Sequence, residues 1–115
     1  MNNEELIAIR NFLNLDIDAE AARLLAADEE HPNGVNRRSW QRWEKGEFNI
    51  PEGIEQNVEN VKKRRAEILA YHLDRGTKEI KIPYELQETD PIEFKIQVSV
   101  IYELYIKGRI KILIA

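Results

Sequence analysis

Cysteine is absent from this 115-residue chain, which excludes a disulfide framework and any thiolate metal site. Histidine is scarce as well. With His31 and His72 the only imidazoles, a zinc site is hard to assemble, and both read as incidental rather than as ligands. No apolar run approaches the roughly 18 residues of a membrane span. The opening stretch MNNEELIAIR is acidic, where a secretory leader would be basic and then apolar. A soluble, cytoplasmic protein is the expectation. Glycine-rich phosphate loops, a nucleophile elbow and metal-ligand spacings are also missing. Paired carboxylates do occur, but with 33% of the chain charged such pairs arise by chance. Neither an enzyme, a cofactor nor a small-molecule ligand is expected.

What is present is enough apolar material, 43% of residues, for a globular core. The formal net charge of −4 counts against generic nucleic-acid binding, which usually shows a basic balance. The distribution weakens that objection. Acids dominate the front (Glu4, Glu5, Asp16, Asp18, Glu20, Asp28 to Glu30). Bases cluster at Arg37, Arg38, Arg42 and Lys45, and again at Lys62 to Arg65. Such asymmetry permits one positive face on an acidic protein.

Asn2 or Asn3 can cap a first helix of about ten residues, with Glu4 and Glu5 at its positive end. Leu6, Ile9 and Leu13 form its apolar stripe, widened by Ile7 and Phe12. Asp16 can cap a second helix reaching about Ala26, with Ile17, Ala21, Leu24 and Leu25 on one face and Asp18 and Glu20 in its first turn. Ala27 to Val35 (ADEEHPNGV) is a turn by composition. Pro51 suits the first position of a long helix running to about Arg75, with Ile54, Val58, Val61, Ile68 and Leu69 inward. After Gly76 the period changes. Ile80 and Ile82 alternate with Lys81 in a short strand stopped by Pro83. Ile92, Phe94 and Ile96 predict a second strand, entering a helix from about Gln97 to Lys107 with Val98, Ile101, Leu104 and Tyr105 inward. RIKILIA predicts a final strand with Ile110, Ile112 and Ile114 on one face. These periods give a mainly α, α+β chain in two parts, 1–75 and 76–115.

The segment organising the chain is Asn36 to Gly46, NRRSWQRWEKG. Asn36 is a good N-cap, Arg37 to Glu44 a short helix, and Gly46 its terminator. Trp40 and Trp43 stand three apart and share one face, so they can be buried together. Arg37, Arg38, Gln41 and Arg42 fall elsewhere. Arginine pairs bidentately with guanine and glutamine with adenine, so this helix has the chemistry of a major-groove reader. The same arginines also fit an ordinary solvated face. The Lys62 to Arg65 run (KKRR) occupies a single helical turn, and there a solvated helix and a phosphate clamp fit equally.

The stretches LIAIR, LDIDAEAARLL and SWQRWEKG, in that order, resemble the helix-turn-helix core of the Xre/Cro-like phage-repressor superfamily. Ser39-Trp40-Gln41 with Trp43-Glu44, then Ile50-Pro51 and FKIQVSVIYELY, narrow the resemblance to the YdiL-like and anti-CRISPR-associated phage regulators. The resemblance implies a lambda-repressor-like helix-turn-helix bundle over residues 1–75, with a small strand-helix-strand dimerisation segment over 76–115. It implies a homodimeric repressor on a palindromic, inverted-repeat operator in double-stranded DNA, often its own promoter. Arg38 would be the base-reading arginine, with Arg37, Arg42 and Gln41 at neighbouring DNA-facing positions. Asn36 and Lys45 complete the DNA-binding set. Arg10 and Glu44 would form an ion pair clamping the first helix to the recognition helix. The HPNG insertion departs from the family's shorter corner. An antitoxin-like protein-interaction module and an RNA-binding regulator are the alternatives.

Overall fold

The computed structural model describes residues 1–114, with backbone alone at residues 17–19. The inward placement of Ile17, the first-turn role of Asp18 and the end of the final strand at Ala115 therefore lie outside the described residues. The chain is mainly helical with one small sheet: α1 (Asn3–Phe12), a π-helix (Ile17–Leu25), α2 (Arg37–Glu44), α3 (Glu52–Arg75), β1 (Glu79–Lys81), α4 (Leu86–Thr89), α5 (Pro91–Ile106) and β2 (Lys111–Leu113). Two compact units result, Met1–Asn60 and Val61–Ala115. Their limit falls inside α3. The boundary expected from the sequence lies later, between residues 75 and 76, at the end of that helix.

In the first unit, Asn2 caps α1 by accepting from the Glu5 amide. Leu6 and Leu13 are buried on its inner face, while Ile7 and Ile9 are only half-buried and Phe12 is exposed. The expected widening of the stripe at Phe12 is thus corrected. The π-helix shows its wide winding in the bonds from the Ala21 amide to the Asp16 carbonyl and from Ala26 to Ala21. It buries Ala21, Ala22, Leu25 and Ala26, whereas Leu24 is half-buried. Three alanines on that face let neighbouring backbone come close, and Gly34 exploits this. A Cβ at Gly34 would lie 2.1 Å from the Ala22 carbonyl oxygen, and its φ is +76°. Only glycine fits.

In the second unit the core is Val61, Ile68, Phe94, Ile96, Val100, Ile101, Leu104 and Ile110. The expected strand over residues 92–96 is corrected: these residues open α5. Asp90 accepts from the Glu93 amide and Pro91 follows at the first helical position, the chemistry of a helix start. That signal outweighs the alternation of Ile92, Phe94 and Ile96, because α5 is apolar around much of its circumference and buries both Phe94 and Ile96. Tyr105, expected inward, is exposed. β1 and β2 pair with each other in parallel, Ile80 opposite Ile112. Ile110 is buried and Ile112 half-buried, but Ile114 faces outward, so the expected single face ends before it.

The basic run on α3 has two identifiable destinations. Arg64 makes a bidentate pair with Glu93, both contacts 2.9 Å. Arg65 donates to the Ser99 hydroxyl at 3.0 Å and to Glu103 at 2.7 Å. Half of KKRR is thereby spent on fastening α3 to α5.

Candidate nucleic-acid interface

α2 is defined by its caps. The Asn36 side-chain oxygen accepts from the Ser39 amide at 2.8 Å, leaving the amide NH2 of Asn36 as a donor at an exposed position. At the other end the Gly46 amide donates to Trp43 and the Glu47 amide to Arg42. This pair of reverse bonds closes a helix on a left-handed residue, and Gly46 has φ +74°. The first turn of α2 carries no acidic residue, so the positive end of the helix dipole is not neutralised there.

The inward side is held by three kinds of contact. Trp40 is 0% exposed and Trp43 8%, their rings edge-to-face with centroids 5.8 Å apart. Glu44 accepts two bonds from Arg10, at 2.5 Å from Nε and 2.9 Å from Nη2, and a third from the Trp40 indole. Its backbone carbonyl accepts from the Asn3 side-chain Nδ2 at 3.1 Å. Arg10 also donates to the Leu15 carbonyl. Beside the Glu44 carboxylate the Arg10 guanidinium is held above its ordinary pKa, the hydrogen bond being the main cause. One carboxylate thus joins α1, α2 and an otherwise orphaned indole N–H.

The remaining side chains of α2 turn away from this cluster. Asn36, Arg37, Arg38 and Lys45 are exposed, and Gln41 and Arg42 are half-buried. Among the described residues Arg37, Arg38 and Lys45 have no acidic partner within salt-bridge distance. Arg42 lies over the ring of Phe48, 5.3 Å from its centroid, which leaves its guanidinium edge for other contacts. A rigid inner face and a cationic outer face therefore coexist on one short helix. The arrangement can present several planar, multidentate donors to a polyanion.

Sequence reasoning missed Asn3 and Asn57: the first is brought to the Glu44 carbonyl and the second to the Leu25 and Ala27 carbonyls only by the fold. The Trp40–Glu44 bond was legible as an i, i+4 pair on one helix. Among the described residues no cluster of three or more His, Asp or Glu could hold a metal ion, and no helix is long and apolar enough to cross a membrane.

Comparison with known proteins gives the chain its relatives. The Aca2 repressor of Pectobacterium phage ZF40 is 40% identical over 70 residues, covering 61% of this chain and 53% of the relative. The aligned stretch thus spans about half the length of that protein. The model of the Aca2/YdiL-like family matches residues 1–113. On that match, across nearly the whole chain, this protein belongs to the Aca2/YdiL-like family.

Proposed function

We propose that this protein is a sequence-specific DNA-binding transcriptional regulator, a homodimeric repressor acting on an inverted-repeat operator. The carrying observation is the two-sidedness of α2. Its indoles and Glu44 are consumed inside the protein, and its arginines are turned outward without acidic partners. The name of the phage relative, a repressor, supports the same reading. Residues 1–75 carry the DNA-binding role and 76–115 the dimerisation role.

Two copies of α2 would enter successive major grooves about 34 Å apart. Arg38 and Gln41 read base edges, and Arg37, Arg42, Asn36 and Lys45 hold adjacent bases or phosphates. The exposed Tyr102, Tyr105 and Ile106 on α5 supply the apolar surface for self-association, which spaces the two reading helices. Random-site selection on duplex DNA, followed by gel-shift titration of the recovered sequence, tests the proposal. An inverted repeat bound in preference to scrambled duplex and to structured RNA is expected. Recovery of no consensus, or a stoichiometric protein partner with no self-association, would replace it with the interaction-module reading.

A further inference from the structure

The corner between the π-helix and α2 is long, and its hydrogen bonds explain how it can still present α2 at one angle. A helix ends with orphaned carbonyls that need donors. Here the Ala22 carbonyl accepts from the Val35 amide at 2.8 Å, one residue before the Asn36 cap. The Leu25 and Ala27 carbonyls are taken by Nδ2 of Asn57 on α3, at 2.8 and 3.2 Å. A side-chain amide nitrogen carries two hydrogens, so this one group can serve both acceptors. Between the two ties the loop closes on itself. The His31 amide donates to the Asp28 carboxylate at 2.6 Å, and the Asp28 and Gly34 amides both donate to the His31 carbonyl. Gly34, with no Cβ to strike the Ala22 carbonyl, lets the chain come close enough for the Val35 bond.

From this network we infer that Asn57 is a positioning residue for operator reading: by holding residues 25 and 27 it fixes the platform from which Val35 hangs α2. The inference rests on the operator-binding reading above. The Asn57 side chain spends its hydrogen bonds on residues 25 and 27, neither of them in α2. Its loss frees residues 25 and 27, so the loop carrying Val35 to the Ala22 carbonyl slackens and α2 loses its fixed angle; every base contact then weakens while the order of base preference stays the same. An additional methylene, as in glutamine, keeps the donors and lets part of the hold return.

The test compares the full-length protein with Asn57→Leu and Asn57→Gln on the selected operator and its single-base variants, with amide exchange followed at Val35. Asn57→Leu is expected to bind about tenfold more weakly on all duplexes. It should also lose protection at the Val35 amide, with Asn57→Gln recovering part of both. Unchanged affinity in a folded Asn57→Leu protein overturns the inference. So does weakened binding with Val35 still protected, because the loss then arises elsewhere. Should the leucine variant not fold, Asn57→Ser carries the same two readouts under the same criteria. Absence of binding by the unaltered protein overturns the operator-binding reading and this inference with it, whereas binding indifferent to residue 57 overturns this inference alone.

Discussion

Arg10 and Glu44 face each other in parallel, Nε to Oε2 and Nη2 to Oε1, with only 17% and 10% of their side chains exposed. This two-pronged geometry fixes direction as well as distance. α2 cannot rotate about its axis without breaking one prong. Because Glu44 also accepts from the Trp40 indole, the ion pair and the tryptophan core hold or fail together.

Arg10→Ala is expected to destabilise the protein by about 3 kcal/mol, since Glu44 is left buried without its cation. Urea unfolding measures it. Glu44→Gln should cost less, because the amide oxygen still accepts from one donor. A loss below about 1 kcal/mol for Arg10→Ala would show that the pair is solvated rather than structural.

Arg38→Ala should leave the unfolding midpoint where it is, because Arg38 is exposed and has no acidic partner among the described residues. Operator affinity should fall by about 1–3 kcal/mol, with discrimination relaxed at one base pair of each half-site. Titrations against operators substituted at single positions check both statements. Uniform weakening across all positions would make Arg38 a phosphate contact instead.

Gly34→Ala meets two penalties, a left-handed backbone and a Cβ placed 2.1 Å from a carbonyl oxygen. A loss of about 2 kcal/mol or more is expected, with the cost falling on the corner. Thermal unfolding together with amide exchange at Val35 would report it. A neutral substitution would mean that the corner does not approach the Ala22 carbonyl.

Acid should loosen the second unit. Glu93 is held below the ordinary glutamate pKa by its hydrogen bond to Arg64, and Glu103 by those to Lys107 and Arg65. Carboxylates with depressed folded values contribute stability that is full above their unfolded pKa, near 4.5, and lost as pH falls through the folded value. His72 acts earlier in the same direction. Burial, with Arg75 nearby, lowers its pKa, so stability begins to decline as pH drops below the ordinary histidine value. Unfolding free energy measured from pH 7 to pH 3 should fall in these two stages. Glu93→Gln should flatten the lower one only slightly, because Arg64 is half exposed and solvent screens it.

Self-association should depend on the outer face of α5. Ile106 is 81% exposed, so Ile106→Asp is not expected to unfold the chain. It should shift sedimentation toward the monomer and weaken binding to a two-half-site operator, because the second half-site is no longer tethered. A persistent dimer would move the interface elsewhere.

Much of α2 was legible in the linear sequence. Asn36, Gly46 and the three-residue spacing of Trp40 and Trp43 each act over about one turn of helix, so the local order of residues determines a short capped helix with one indole face. The limits of α1 and α3 were readable for the same reason. The strand expected at residues 92–96 failed because alternation is ambiguous in a segment apolar on most sides, and Asp90-Pro91 was the deciding local signal. The remaining features join residues about thirty or more positions apart: Arg64 to Glu93, Arg65 to Glu103, Asn57 to Leu25, Arg10 to Glu44. Of these, only family resemblance suggested Arg10 with Glu44. Helix propensity and capping depend on near neighbours in the chain. Which arginine is spent inside the protein and which is left for a partner depends on acids that only folding brings close.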